Sequence, residues 1–385
     1  MSDTPLISVC MPAYRHEDHV GNAIESILAQ TFGDFELLIN DDCSPDRTFE
    51  VIRSFNDPRI HAVRNSHRAG PSITLNSAVS RARGRYLALC SSDDRWLPDK
   101  LAQQFAWLES HPDTDAVFFR PWLIDAEGRR QPDEAHILGQ DFGGEAFERH
   151  DWLARMFFKG NCLCAITPMF RMTAIHTTGE FNPLMLQLQD FDYWVRFLAR
   201  HDLKMLPERL AEYRISSPGD SLSAATFESF ARSGHELCEV LRHFGQSEPA
   251  AAIAALPLQG PTMLPWRPRT PSQAYRLAEH AMHVAVETNH YSLGHYLFAL
   301  DCLKAHAAGP DGMAGAEGET RLLPLPYFEV TGSSLARNFF LGNERTGVME
   351  RDHMKLESGV ARGEERPADA SSGTGWWQRL RKGFR

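Results

Sequence analysis

Residues 35–42 read FELLINDD, in which the apolar run 35–39 stops at Asp41 and Asp42. An apolar run of this length next to turn-forming residues is typical of a buried strand. The same arrangement recurs within 84–101, GRYLALCSSDDRWLPDKL, where the apolar run 86–90 is followed by Asp93 and Asp94. The sequence therefore predicts two buried strands, each with an acidic pair at its carboxyl end.

The residues around these strands alternate between strand and helix patterns. Further strands are predicted at 6–11, 60–63 and 116–119, and helices at 16–31, 46–55, 71–83 and 97–110. Strands separated by helices of this length form right-handed crossovers and a mostly parallel sheet. The predicted fold class is therefore α/β, and ligands of such sheets bind outside the carboxyl ends of the strands, where both acidic pairs lie.

Composition and charge exclude several classes of protein. The chain has 385 residues, of which 43% are apolar, and a net charge of −10, which argues against non-specific binding of nucleic acid. The sequence contains no run of about 18 apolar residues and no signal-peptide pattern. Its seven cysteines lack the spacing of a zinc or redox site and are typical of free thiols in a reducing compartment. We therefore expect a cytoplasmic protein that binds no nucleic acid.

The chain divides by composition into four predicted segments. Residues 1–223 carry the α/β pattern, and 224–307 look mainly helical, with helices at 275–286 and 291–305. Residues 308–355 form a linker and an irregular segment, and 356–385 form a polar tail that we expect to be disordered. The sequence carries no signal for the oligomeric state.

The two acidic pairs suggest different chemistry. A carboxylate of Asp41 or Asp42 at a strand tip can accept a hydrogen bond from a base-edge N–H, although turn formation explains the same residues. Asp93 and Asp94 can hold a divalent cation against a diphosphate, and a solvated turn is again the alternative. Because adjacent side chains of a strand point to opposite faces, we expect at most one of Asp93 and Asp94 to coordinate the cation directly, unless the turn starts there.

Two later residues are also candidates. Asp190 begins a predicted helix, where the helix dipole favours an ionised carboxylate, so it suits both helix capping and a general base. Asp192 is the alternative base. Arg214, which follows Tyr213, has the planar fork of donors that suits a phosphate.

Taken in order, five blocks resemble the family 2 glycosyltransferases, which are inverting enzymes of the GT-A fold. The blocks are ISVCMPAYR (7–15), AIESILAQTFGDFELLINDDCSPDRT (23–48), GRYLALCSSDDRWLPDKL (84–101), GEFNPLMLQLQDFDYWVRF (179–197) and YRISSPGDSLS (213–223). The resemblance covers residues 4–220 and implies a GT-A, Rossmann-like sheet, flanked by helices, with a mainly helical C-terminal extension. It also implies transfer of a sugar from a nucleoside-diphosphate donor, UDP by the match at Asp42, to an acceptor hydroxyl.

The resemblance assigns roles by position. Asp190 matches the base that deprotonates the acceptor, and Asp93 and Asp94 match the end of the family's Asp-x-Asp region, which holds Mn²⁺ or Mg²⁺. The residues that match the nucleotide-binding positions are Pro12, Ala13, Tyr14, Asp41, Asp42, Asp93 and Arg214.

The sequence departs from the family's pattern at four positions. The asparagine that usually follows the first-loop tyrosine is Arg15, and the first aspartate of Asp-x-Asp is Ser91. Gln189 replaces the acidic residue before the base, and the histidine after Tyr-Arg is missing, with Ser216 nearest. Fewer carboxylates are therefore left to hold a metal.

The last residues, GWWQRLRKGFR (375–385), place two tryptophans on one side of a helical wheel and basic residues on the other. Such a segment can lie in an anionic membrane surface, so we hypothesise peripheral association with the inner face of the membrane. A tail that packs on protein or stays disordered is the alternative. Deletion of 375–385 tests this, since unchanged co-sedimentation with liposomes would rule it out.

Competing functions differ in what they require. A nucleotidyltransferase needs a Gly-rich basic first loop, and the loop MPAYRHEDH lacks glycines. A dinucleotide-dependent oxidoreductase needs a G-x-G-x-x-G after the first strand, and no such motif follows it here. A catalytically silent sugar-nucleotide-binding or scaffold protein would not need Asp42, Asp94 and Asp190 together. We therefore favour an enzyme of surface polysaccharide or glycan synthesis that acts on a glycan, lipid-linked or protein acceptor.

Overall fold

The structure is a computed structural model that describes residues 4–135, 147–215, 227–257, 271–287 and 293–308. Strands and helices alternate through the first 120 residues, as predicted. The strands are β1 (Ile7–Ala13), β2 (Phe35–Asp41), β3 (Ile60–Arg64), β4 (Tyr86–Leu89), β5 (Arg95–Trp96), β6 (Ala116–Phe119), β7 (Trp122–Ile124), β8 (Arg130–Gln131), β9 (Met169–Arg171), β10 (Leu203–Leu206) and β11 (Ala211–Arg214). The helices are α1 (Val20–Leu28), α2 (Thr48–Ser54), α3 (Pro71–Val79), α4 (Lys100–Ser110), α5 (Arg149–Lys159), α6 (Met172–Thr178), α7 (Gln189–Leu198), α8 (Phe227–Phe244), α9 (Ser247–Ala254), α10 (Gln273–Glu287) and α11 (Leu293–Ala308).

The main sheet confirms the α/β prediction. Its strand order is β10-β6-β9-β4-β1-β2-β3. β1 pairs in parallel with β2 and β4, β2 with β3, and β6 with β10, whereas β9 runs antiparallel between β4 and β6. The sequence did not predict β9, because three residues are too short to show a period. The described residues also form a smaller sheet, whose strand order is β5-β11-β7-β8.

The central strands are buried because apolar runs face protein on both sides of a parallel sheet. Every residue of β2 and β4 is buried, and in β1 only Pro12 is partly exposed. Helix α1 packs its predicted apolar face inward, with Val20, Ala23, Ile24 and Ile27 all buried. This packing leaves the polar strand ends as the accessible edge of the sheet.

Gly84 lies where the chain enters β4 beside β1, and this approach leaves no room for a side chain. A Cβ at Gly84 would lie 2.5 Å from the Ser8 backbone nitrogen and 2.8 Å from the Ile7 carbonyl carbon. Gly84→Ala is therefore expected to lower the free energy of unfolding by about 1 to 3 kcal/mol, measured by urea denaturation. Gly33→Ala is the matched control, since no atom lies within 4 Å of its added Cβ. Equal stability of the two variants would contradict this close approach.

The chain divides into two compact units, the first ending at Pro249 and the second beginning at Ala250. The first unit extends beyond the boundary predicted after residue 223 and includes α8. In the second unit α10 and α11 pack together, in keeping with the predicted helical C-terminal region. Within the described residues, no helix combines the length and apolar character needed to cross a membrane. The predicted segments 308–355 and 356–385, with the basic end 375–385, lie outside the described residues apart from Ala308.

Candidate functional site

A cavity of about 930 Å³ opens at the carboxyl ends of β1, β2 and β4, the edge of the sheet that the sequence analysis selected. Its walls come from segments that are far apart in sequence, including the loop after β1, the loop after α5 and the start of α7. The expected site residues that line it are Pro12, Ala13, Tyr14, Asp42, Asp93, Asp190 and Arg214. Asp41 and Asp94, which are both described, lie behind its wall.

The loop after β1 is held in place by the neighbouring loop after β2. Arg15 adopts a left-handed backbone conformation, with φ of 56°, and its N–H donates to the Ser44 hydroxyl at 3.1 Å. The N–H of His16 donates to the Thr48 hydroxyl at 2.8 Å. These bonds fix Tyr14 at the cavity, where the Arg68 guanidinium lies 4.5 Å from the centre of its ring.

Asp42 faces the cavity with its carboxylate tied to the segment before α3. Its Oδ1 accepts the Ala69 N–H at 2.7 Å and the Asn65 side-chain amide at 2.9 Å, and its Oδ2 accepts the Gly70 N–H at 2.9 Å. Asp42 is therefore an oriented acceptor at the cavity wall.

Asp41, the other aspartate of this pair, lies inside the protein. It is fully buried, its Oδ2 accepts the Ser44 N–H at 3.0 Å, and it pairs with Arg64 at 3.2 Å. Consecutive side chains of a strand alternate in direction, so Asp42 faces the cavity and Asp41 turns inward. Asp41 thus supports the turn that carries Asp42, and its expected contact with a nucleotide stays a prediction.

The second acidic pair is divided in the same way. Asp93 lines the cavity, its side chain is 17% exposed, and its Oδ2 lies 3.9 Å from Nε2 of His16. Asp94 is buried, and its Oδ1 accepts the Arg214 N–H at 2.7 Å. Burial, and then the charge of Asp93, raises the pKa of Asp94 well above its usual value. Asp94 is not among the residues that line the cavity, and its expected contact with a metal stays a prediction.

The fit of a divalent cation depends on Asp93. Within the described part of the chain, no three histidine, cysteine or acidic side chains converge as a ready-made metal cage. A cation held between protein and diphosphate needs only one or two carboxylates, because phosphate and water oxygens supply the other ligands. Asp93 fits that requirement, because its carboxylate is a hard oxygen donor that lines the cavity. The next residue, Asp94, supplies a second carboxyl that is buried.

Arg214 lines the cavity but directs most of its donors to the backbone. Its Nε donates to the Asp93 carbonyl at 2.8 Å, and its Nη1 donates to the carbonyls of Asp125 and Ala126 at 2.9 and 2.7 Å. Arg214 therefore braces the loop that carries Asp93 against the small sheet, and its charge remains at the cavity wall.

Asp190 lies at the start of α7 with its carboxylate at the cavity. Its Oδ2 accepts the side-chain amide of Asn161 at 2.8 Å, and its Oδ1 accepts the Phe191 N–H at 2.8 Å. Burial raises the pKa of Asp190 to about 6, although these two hydrogen bonds act in the opposite direction. A carboxyl with this pKa is ionised at neutral pH and still basic enough to accept a proton.

Asp192, the alternative base, is fully buried behind the cavity wall. Its Oδ2 pairs with Arg196 at 2.7 Å, and its Oδ1 lies 2.9 Å from Nε2 of His243. Burial alone would raise the pKa of Asp192, but the bond from His243 and the charge of Arg196 lower it below the usual value. Asp192 is thus a structural carboxylate with no access to a ligand in the cavity.

Sequence reasoning missed Asn161, Arg68 and His16, which also line the cavity. Asn161 follows Gly160, whose φ is 85°, so the sequence there is typical of an ordinary helix end. Arg68 and His16 lie in polar loops without any spacing signal. Their position depends on the packing of loops from different strands.

Comparison with known proteins agrees with this architecture. The family described as "Glycosyl transferase family 2" matches residues 8–173. An uncharacterized glycosyltransferase of Methanocaldococcus jannaschii is 30% identical over 226 residues, which cover 57% of this chain and 74% of that protein.

Two further similarities are more restricted. The Escherichia coli protein named UDP-Glc:alpha-D-GlcNAc-diphosphoundecaprenol beta-1,3-glucosyltransferase WfaP is 36% identical over 114 residues, which cover 30% of this chain and 44% of that protein. The match therefore spans less than half of WfaP. The crystal structure of S. aureus TarS 1–349 superposes with a TM-score of 0.53 at 19% identity, over 78% of this chain and 80% of that one, which shows a shared GT-A fold. On this evidence the chain is a glycosyltransferase and belongs to glycosyltransferase family 2.

Proposed function

We propose that the protein transfers a sugar from a UDP-sugar to an acceptor hydroxyl with inversion at the anomeric carbon. The observation that carries this proposal is the raised pKa of Asp190, about 6, at the wall of the cavity that Tyr14, Asp42 and Asp93 also line. One cavity thus combines a candidate base, an acceptor for a nucleobase and a ligand for a cation.

Asp42 and Tyr14 form the proposed nucleobase site. The Asp42 carboxylate accepts N–H groups from Ala69 and Gly70 and has further lone pairs for a base-edge N–H, such as that of uracil. Two similar proteins support UDP as the carrier: WfaP is named for UDP-Glc, and TarS 1–349 has been crystallised in complex with UDP-GlcNAc.

Asp93 is the proposed ligand of Mn²⁺ or Mg²⁺. When bound, the cation would neutralise the charge that builds on the leaving diphosphate. Arg214 and Asp94 hold the Asp93 loop through the bonds described above, so they position this carboxylate. His16, 3.9 Å from Asp93, adds a donor at the same wall.

Asp190 is the proposed base. As the acceptor oxygen attacks the anomeric carbon, its proton passes to Asp190, the bond between that carbon and the diphosphate breaks, and the nucleoside diphosphate leaves with the bonding electrons. Asn161 and the Phe191 N–H keep the carboxylate ionised and oriented before the reaction.

A lipid-linked or other glycan acceptor in surface polysaccharide synthesis is the proposed biological context, supported by the name of WfaP, which specifies a diphosphoundecaprenol-linked acceptor. Peripheral membrane contact through residues 375–385 remains a hypothesis, because they lie outside the described residues.

The test of this function is nucleotide release from UDP-, GDP- and dTDP-sugars, each with Mn²⁺, Mg²⁺ or EDTA. Release from a UDP-sugar that requires metal supports the proposal and identifies the sugar. Release from a GDP- or dTDP-sugar alone would reject UDP as the carrier. Binding of a donor by calorimetry without turnover, even with candidate acceptors, would favour a silent binding protein.

The pH dependence follows from Asp190. Its carboxyl must be ionised to accept a proton, and its pKa is about 6, so kcat/KM should be half-maximal near pH 6 and fall about tenfold per pH unit below that. Removal of the Asn161 bond, which lowers this pKa, should move the midpoint to higher pH in Asn161→Ala. Steady-state kinetics at pH values from about 4.5 to about 8 measures both midpoints. A wild-type midpoint near 4, or an unmoved midpoint in the variant, would contradict the assignment.

A further inference from the structure

A buried glutamate outside the cavity holds the segment that leads into Asp190. Glu236 of α8 is 3% exposed. Its Oε1 accepts the Leu186 N–H at 2.8 Å, and its Oε2 accepts the N–H groups of Gln187 and Leu188 at 2.8 and 2.7 Å. These three consecutive residues line the cavity and immediately precede α7.

The three N–H groups of residues 186–188 form a backbone anion-binding nest, and the Glu236 carboxylate occupies it. Consecutive N–H groups that converge on one point favour a negative charge there, and the start of α7 adds the positive end of a helix dipole. Bonds from N–H to an ionised carboxylate are about twice as strong as neutral ones. Residues 182–188 have no regular secondary structure of their own, so the Glu236 carboxylate sets the path of their backbone.

The same helix makes a second contact on the other side of Asp190. His243 follows Glu236 by seven residues, about two turns, and therefore projects from the same face of α8. Its Nε2 lies 2.9 Å from Oδ1 of Asp192. Helix α8 thus holds the chain two residues before Asp190 and two residues after it.

We propose that Glu236 is a positioning residue, which places the Asp190 carboxylate and the 186–188 wall for reaction with the acceptor. This inference rests on the proposed role of Asp190 as the base. Asp42, Tyr14 and Asp93 belong to loops that follow other strands, so disturbance of Glu236 affects transfer and leaves donor binding intact.

Glu236→Gln tests the proposal with little change of shape. Glutamine keeps one oxygen but turns an NH₂ group towards donors, so the amides of 186–188 lose acceptors. Hydrogen–deuterium exchange of these amides should accelerate about tenfold or more, and kcat should fall about 10- to 100-fold, with donor KM and UDP affinity within about twofold of wild type. The matched control is Glu239→Gln on the same helix, whose partly exposed side chain pairs with Arg242.

Glu236→Asp is the second variant, since it retains the charge with a shorter side chain. Its kcat should lie below that of wild type and above that of a folded Glu236→Gln. If the glutamine variant does not fold, a lowered kcat with unchanged donor affinity in Glu236→Asp supports the proposal. Wild-type kcat in both variants, or a loss of kcat matched by an equal loss of donor affinity, would overturn the proposal. Absence of transfer by wild type would instead reject the proposed function. In that case unchanged exchange at 186–188 in Glu236→Gln would reject the positioning role as well.

Discussion

Asp190→Asn is expected to lower kcat for sugar transfer about 10³-fold, because a positioned general base contributes about 10²- to 10⁴-fold. Asparagine has nearly the same shape and can still accept the amide of Asn161, but it cannot take the acceptor proton. The measurement is single-turnover transfer at about pH 7.5, with the donor affinity measured by calorimetry. Donor affinity should remain within about twofold of wild type, since Asp42 and Asp93 are unchanged.

The stability of this variant separates a catalytic effect from a folding effect. The pKa of Asp190 is raised to about 6 in the folded protein, so burial disfavours the ionised form. Above that pH the folded state carries the cost of a buried charge, and asparagine removes it. The free energy of unfolding at neutral pH should therefore stay the same or rise. Asp202→Asn, at a side chain 63% exposed, is the control. A kcat above about a tenth of wild type would reject Asp190 as the base.

Asp93→Asn is expected to weaken Mn²⁺ binding in the presence of UDP and to lower kcat about 10²-fold, because a neutral amide is a poorer ligand for a hard cation. Calorimetry measures the metal affinity directly, without reliance on turnover. UDP binding in EDTA should be unchanged, since Tyr14 and Asp42 form the proposed nucleobase site.

The fold should tolerate this substitution. The Asp93 side chain is partly exposed and its Oδ2 lies 3.9 Å from Nε2 of His16, so the melting temperature should remain close to that of wild type. Asp113→Asn, at an exposed position in the loop before β6, is the matched control for charge. Unchanged metal affinity in Asp93→Asn would show that the cation, if bound, uses other residues.

Prediction from sequence succeeded where a local pattern carries the information. The strands that end at the acidic pairs, the helices between them and a mostly parallel sheet are confirmed, because apolar runs and helical periodicity report burial directly. The family was also recognised correctly. The antiparallel β9 and the small sheet were missed, since their strands are only two to four residues long.

The sequence alone did not show which aspartate of each acidic pair lines the cavity. Asp41 and Asp42 differ in their surroundings. The Asp41 side chain points into the protein, whereas the Asp42 carboxylate accepts the N–H groups of Ala69 and Gly70. Asp93 and Asp94 differ because Arg214, from a strand of the small sheet, donates its backbone N–H to Asp94. In both cases the deciding partner is distant in sequence.

Local sequence patterns were thus sufficient to establish an α/β sheet, the edge of the sheet at which the cavity opens and the residue types available there. Folding decided which carboxylates reach the cavity, why the pKa of Asp190 is about 6, and that Glu236 holds the segment before it. The physical reason is that strand and helix formation depend on near neighbours, whereas burial, hydrogen bonding and pKa depend on atoms that only the packed chain brings together.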